Sequence, residues 1–184
     1  MIGRTAMSSF SDAHELREIP IIAANLHRLM LPRQSQIWAV LHETDSDRRL
    51  SYSLAATFLG RMCLSGTITA LSPEQWTLVE QAMHLYRRVA PIVKEGVSRR
   101  FGDTGASWRH PSGWQAVVRE SGEFALVVVH TFAGAPESVD VPLPPGPWKV
   151  TGTFPEAPEA ALGDGVLAVS IEGEFSARVF LLSR

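Results

Sequence analysis

The chain has 184 residues, 45% hydrophobic and 20% charged, with a formal net charge of −2 and a single cysteine. That length suits one domain or two small ones. The near-neutral balance, with no basic cluster interleaved with aromatics, argues against nucleic acid or an anionic membrane as partner; no apolar run could span a bilayer, and one thiol permits no internal disulfide.

The N-terminal stretch carries Ser8, Ser9, Ser11, Asp12 and Glu15 close behind Met1 and lacks the basic and apolar regions of a signal peptide, so a cytoplasmic protein is expected. Thr5 to Phe10 is small and β-tolerant and leads into Ser11-Asp12, where a helix-like pattern starts at once. Ser11 and Asp12 are good N-cap residues, and Glu15 stands at the capping-box position relative to Asp12. A carboxylate between a strand end and a helix is also where an α/β barrel keeps its catalytic groups, so cap and catalyst are both open readings of Asp12. Ile19, Ile22, Ala23, Leu26, Leu29 and Met30 recur at helical spacing until Pro32, with Pro20 tolerable in the first turn.

Gln36 to Leu41 is a nearly continuous apolar run, which predicts a parallel strand covered on both faces. His42 to Arg49 reads as a loop, Tyr52 to Gly60 as a helix ended by its glycine, and Arg61 to Ser65 as a short buried strand. Ser72-Pro73-Glu74-Gln75 combines cap, first-turn proline and capping-box glutamine. The long helix behind it is expected to bury Trp76, Val79, Met83, Tyr86, Ala90 and Val93, to be kinked or shortened by Pro91, and to end at Gly96. Three consecutive βα units result, with the junctions Ser11-Asp12, His42-Glu43 and Ser65-Gly66-Thr67 on one side of a parallel sheet.

Beyond Gly96 the pattern changes. Val97 to Ser107 reads as a polar linker, which divides the chain into residues 1–98 and 99–184. Trp114 to Arg119 and Phe124 to His130 flank a Glu120-Ser121-Gly122-Glu123 turn, a hairpin signal. Further strands are expected at Val139 to Val141, Trp148 to Phe154, Val166 to Ile171 and Phe175 to Leu182, separated by Gly, Pro and Asp turns. Strands at this spacing without helices predict a small antiparallel sandwich, which is expected to be the more independent folding unit.

Several stretches resemble the C-terminal part of the melibiase-type α-galactosidases, the glycoside hydrolase clan of families 27 and 36. They are Ser9-Phe10-Ser11-Asp12, Leu59 to Gly66 with Leu71 to Trp76, Tyr86 to Gly96, and the tail Trp114 to Phe132. The resemblance implies the last three βα units of a (β/α)8 TIM-type barrel followed by a C-terminal antiparallel β-sandwich. It implies a retaining glycosidase using two carboxylates, with Asp12 as general acid/base and Ser11, Ser65 and Gly66 lining the sugar site. An α-galactoside is the implied substrate. The family's nucleophile lies in a Lys-x-Asp type motif on an earlier strand; no such motif stands here, and no other acid precedes Asp12. A whole barrel takes roughly 250 residues, so the expectation is a C-terminal portion whose missing N-terminal barrel part is a further partner. Thr67 stands where many relatives have an acid.

Other candidates are weaker. Glu43, Asp45 and Asp47 could supply a second carboxylate, but beside Arg48 and Arg49 they also read as a solvated loop. His42 is a candidate at a strand end. His14, His27, His84 and His130 have no metal-ligand spacing, and no metal or cofactor is expected. Trp38, Trp76, Trp114 and Trp148 could stack on sugars, but each sits in an apolar stripe that suits the core. Cys63, in an apolar run, is expected as a buried inert thiol. Two function classes remain, a glycosidase portion and a non-catalytic carbohydrate-binding or assembly module; a homo-oligomer is compatible with either.

Overall fold

The structure is a computed structural model that describes residues 6–9, 16–105, 107–156 and 160–184. Its first part alternates strand and helix: β1 (Ser8–Ser9), α1 (Ile19–Leu26), β2 (Ser35–Leu41), α2 (Asp47–Thr57), β3 (Arg61–Gly66) and α3 (Pro73–Glu95). The three strands form one parallel sheet in the order β1-β2-β3. The second part is all strand: β4 (Val97–Phe101), β5 (Trp114–Ser121), β6 (Phe124–Thr131), β7 (Ser138–Pro142), β8 (Lys149–Phe154), β9 (Ala160–Gly163), β10 (Val166–Ser170) and β11 (Ala177–Ser183). These make a five-stranded antiparallel sheet, β4-β5-β6-β11-β8, and a three-stranded one, β7-β10-β9.

The layers follow from which faces are apolar. α2 and α3 fill the space between the parallel sheet and the five-stranded sheet, in a core that joins Ile37, Ala39, Leu41, Leu54 and Val89 to Val117, Leu126, Val128 and Val179. The other face of the five-stranded sheet, with Val118, Val127, Val129 and Phe180, packs on Val139, Val141, Leu167 and Val169 of the three-stranded sheet. The middle sheet is therefore covered on both sides. That explains why β5, β6 and β11 read as unbroken apolar runs, although antiparallel sheets usually alternate. Phe58 stacks on Phe154 at 6.1 Å and meets the edge of Tyr86 at 5.6 Å, which locks α2, α3 and β8 together.

α2 is buried almost all round, and its small residues Ser51, Ser53, Ala55 and Ala56 admit both neighbouring sheets. Two buried hydroxyls within it are satisfied by the helix itself: Ser53 donates to the Arg49 carbonyl at 3.0 Å and Thr57 to the Leu54 carbonyl at 2.6 Å. Polar side chains pin the layers by reaching backbone across the seam. Gln115 Nε2 donates to the Pro20 carbonyl at 3.0 Å, and Arg119 Nη2 to the Leu59 carbonyl at 2.9 Å.

Several expectations need correcting. Val97–Phe101, read as linker, is strand β4 on the edge of the five-stranded sheet, where its exposed arginines Arg99 and Arg100 are compatible with pairing on one side only. The sheet thus begins one residue after the C-cap of α3, and the helices share the core on one of its faces, while its other face packs only on the three-stranded sheet. β9 went unread because all four of its residues are exposed. α1 starts at Ile19, after Glu18, with no side-chain cap, and Ser11 to Glu15 lie outside the described residues. α2 ends at Thr57, and Gly60 is no left-handed cap: a Cβ there would stand 2.5 Å from the Ser35 carbonyl oxygen.

α3 keeps its capping box and runs through Pro91 to Glu95. Its fully buried positions are Gln75, Val79, Ala82, Leu85, Val89, Ile92 and Val93, whereas the expected Trp76, Met83, Tyr86 and Ala90 are half-buried. A helix wedged between two sheets is covered over more than one stripe, so a single apolar face misplaces its centre. β2 is covered on one face only: Ile37, Ala39 and Leu41 are buried, while Gln36, Trp38 and Val40 are half-exposed. Cys63 lies on that open face, in register with Trp38, and is half-buried; partial desolvation pushes its thiol up. Three strands do not close a barrel, and the parallel sheet is an open one.

Candidate functional site

The side of the parallel sheet where β2 and β3 end is built from two turns. β2 and β3 are in register up to Leu41 opposite Gly66. Gly66 adopts φ +96°, and a Cβ there would lie 2.2 Å from the Leu41 carbonyl oxygen, so only glycine lets β3 finish this close to β2. The next residue is thereby fixed: Thr67 N–H donates to the Leu41 carbonyl at 2.9 Å.

After Leu41 the chain turns through His42 to Ser46. Asp45 closes the turn, its carboxylate accepting from His42 N–H at 2.9 Å and its own N–H donating to the His42 carbonyl at 3.0 Å. Arg49 pairs with the same carboxylate at 2.7 Å. Gln75, buried at the first turn of α3, has two tasks: its Oε1 completes the capping box from Ser72 N–H at 2.9 Å, and its Nε2 donates to the carbonyls of Glu43 and Asp45 at 3.1 and 3.0 Å. The α3 cap is thus bolted to the loop that carries His42 and Glu43.

On this frame three side chains form a hydrogen-bonded row. Thr67 Oγ1 donates to Glu43 Oε2, and His42 Nδ1 lies 3.3 Å from the same Oγ1. The Thr67 hydroxyl has one proton, and Glu43 takes it. His42 therefore donates from Nδ1, and in that tautomer Nε2 is the ring's acceptor. The Thr67 donor holds the Glu43 carboxyl below its ordinary range. The row presents two acceptors, a carboxylate oxygen and an imidazole nitrogen, at the exposed ends of adjacent parallel strands.

Asp12 and Ser11 lie outside the described residues, so the structure places neither relative to this row. Ser65 is half-buried on β3 opposite Val40, on the open face, and Gly66 is spent on backbone geometry. Of the acidic candidates, Glu43 enters the row, Asp45 is a turn residue with an arginine partner, and Asp47 is in the exposed first turn of α2. His27, half-buried, and His130, fully buried, are held neutral, their pKa values pushed down to about 4 and about 3 chiefly by desolvation. His14 lies outside the described residues and His84 is exposed. Among the described residues no three His, Cys, Asp or Glu side chains converge as metal ligands, and no helix is long and apolar enough to cross a membrane.

Sequence reasoning missed Thr67 as the centre of the row. Its signal was present in the small polar Ser65-Gly66-Thr67 after an apolar strand. Trp38 also escapes the core reading: it is half-exposed on the open face, where its Nε1 donates to Ser9 Oγ at 3.0 Å. Trp148, by contrast, is buried with Nε1 donating to the Pro144 carbonyl at 2.7 Å. A groove of about 540 Å³ lies where β3 begins rather than where it ends, lined by Arg33, Arg61, Met62, Tyr86, Ala90 and Val93. It is thus at the far end of the strand from the polar row.

No protein-family model and no curated protein sequence matches the chain. Solved structures do match. The α-galactosidase from Lactobacillus brevis shares the fold with a TM-score of 0.69 at 14% identity, over 94% of this chain and 25% of that one. The galactosidase domain of the α-galactosidase–sucrose kinase AgaSK gives 0.67 at 15%, and the family-36 α-galactosidase AgaA from Geobacillus stearothermophilus 0.67 at 16%, with the same coverages of 94% and 25%. An α-amylase from H. orenii gives 0.52 at 11% identity, over 97% of this chain and 49% of that one. The chain spans about a quarter of the length of the α-galactosidases it matches. The mixed fold, a small parallel α/β layer on antiparallel sheets, is that of a C-terminal part of the family-36 α-galactosidases, as the resemblance in the sequence implied.

Proposed function

We propose that this chain is the C-terminal portion of a retaining glycoside hydrolase acting on α-galactosides. In this reading β1, β2 and β3 with their helices are the last three βα units of a (β/α)8 barrel, residues 1–98, and residues 99–184 are the sandwich behind it. Asp12 is the general acid/base: it protonates the leaving oxygen as the glycosidic bond breaks and then takes a proton from the attacking water. Ser11, Ser65 and Gly66 line the sugar site. The nucleophile belongs to an upstream barrel part, in the same polypeptide or in a separate chain.

One observation carries the proposal. Among the described residues the helices cover one face of the parallel sheet and none covers the other, and Trp38, Val40, Cys63 and Ser65 are left half-exposed there. Parallel sheets occur almost entirely with both faces covered, as a barrel's inner wall is by its own packed interior. Solved α-galactosidases with this fold over a quarter of their length support the same completion. The test is hydrolysis of a natural α-galactoside by the 184-residue chain alone and by the chain joined to the polypeptide encoded immediately upstream. Turnover only in the joined form is expected. Full turnover by the chain alone would sink the reading, because a retaining mechanism needs two carboxyl groups about 5–5.5 Å apart. Sugar binding without turnover in either form would favour the alternative, a carbohydrate-binding or assembly module.

A further inference from the structure

The row formed by Glu43, Thr67 and His42 has no structural task that explains its polarity. The turn is already closed by Asp45, the α3 cap by Gln75, and the β2–β3 end by Thr67 N–H. Among the described residues Glu43 is exposed and forms no ion pair with a lysine or arginine, and the His42 ring meets the Thr67 hydroxyl. Both side chains are nevertheless oriented. The Thr67 hydroxyl holds one carboxylate oxygen of Glu43 and, as an acceptor, sets the tautomer of His42.

We infer that this row is a sugar-hydroxyl subsite, in which His42 Nε2 and the free carboxylate oxygen of Glu43 accept hydrogen bonds from neighbouring hydroxyls of the bound glycoside. The inference rests on the glycosidase reading and adds three substrate-contacting or positioning residues to it. The chemistry selects the ligand. Two acceptors oriented by one hydroxyl call for a ligand that donates twice, which a pair of adjacent sugar hydroxyls does. A divalent cation would need further ligands, and no third ligating side chain stands with these two among the described residues. An anion would meet the Glu43 carboxylate and be repelled. Glu43 and His42 touch the sugar, whereas Thr67 acts through them as a positioning residue.

The test uses the whole chain, with histidine ring and backbone NMR signals followed as methyl α-galactoside is added, and choline as a cationic control. Saturable shifts of the His42 ring and of Glu43 and Thr67 are expected with the galactoside and not with choline. Thr67→Val and Glu43→Gln should each weaken binding about tenfold, the loss expected for one charge-assisted hydrogen bond. Thr67→Ser, which keeps the hydroxyl, should bind as the parent does, a rescue that a purely structural role would not give. Should Thr67→Val fail to fold, Glu43→Gln alone decides. The inference is overturned if galactoside shifts other residues and leaves these three unmoved, if nothing shifts, if choline binds as well, or if the variants bind like the parent. The first of these results would leave the glycosidase reading standing. Shifts at His42 without turnover in the joined form would instead uphold the subsite and sink that reading.

Discussion

Replacing Arg119 tests how the layers are held together. The side chain is 1% exposed and has no carboxylate partner among the described residues. Its Nε donates to Ser98 Oγ on β4 at 2.9 Å, and its Nη2 to the Leu59 carbonyl just past α2 at 2.9 Å; Nη1 reaches the Phe58 carbonyl at 3.5 Å. Burial pushes its pKa down to about 10, which still leaves a cation at neutral pH. That cation sits at the carbonyl end of a helix, where positive charge is favoured. Two well-formed charge-assisted bonds are each worth about 1.5–3 kcal/mol, partly offset by relief of the buried charge. Arg119→Ala should therefore lose about 2–4 kcal/mol, or about 4–16 °C in Tm for a chain of this size. Arg119→Met keeps the stem that packs on Gly96 and removes the donors. Because His27 Nε2, at 2.7 Å, can still satisfy the Leu59 carbonyl, Met should recover about half of the loss. Urea unfolding followed by tryptophan fluorescence and by far-ultraviolet circular dichroism reads both variants, and the two probes should coincide because the core is shared. A loss below about 0.5 kcal/mol for Ala, the range of ordinary surface changes, would refute the reasoning.

Stability should fall as pH drops below about 6.5, the unfolded value, toward about 4 for His27 and about 3 for His130, because the unfolded chain takes up their protons first. Each contributes at most about 1.4 kcal/mol per pH unit in its window; a urea midpoint unchanged from pH 7 to pH 4.5 would contradict this, and the difference between parent and His130→Gln should shrink over the same range. Gly66→Ala forces a Cβ against the Leu41 carbonyl at a left-handed φ and should cost about 1–3 kcal/mol. The same change should release Thr67 from Glu43, so an NMR titration should find the Glu43 carboxyl returned upward toward its ordinary range.

Much of this fold was legible because its signals are local. The Ser72 to Gln75 capping box, the Glu120 to Glu123 turn and the apolar runs of β2, β5, β6 and β11 each carry their own periodicity or turn chemistry. What escaped depends on distant partners. β4 is polar because it is an edge strand, and β9 is exposed along its whole length, so neither shows a buried face. The centre of the α3 stripe shifted because two sheets cover it, and no single-face pattern encodes a second sheet. The polar row was half legible: Glu43 and His42 drew notice at a strand end, whereas Thr67 acquires its role only when β3 comes into register with β2. The carboxylate that the sequence singles out most, Asp12, is outside the described residues, so its role rests on motif and order alone.

The most direct test of the central claim is the chemistry of Asp12→Ala in the chain joined to the polypeptide encoded immediately upstream, the proposed remainder of the barrel. With a natural α-galactoside, whose leaving oxygen needs a proton, hydrolysis should collapse; with an aryl galactoside of low leaving-group pKa the first step should persist and the glycosyl-enzyme should accumulate. Azide, which needs no general base, should then restore turnover and give a glycosyl azide of retained configuration. Unchanged rates per folded molecule, with only about 0.5–2 kcal/mol of stability lost as for a deleted helix cap, would contradict the account and leave Asp12 a capping residue.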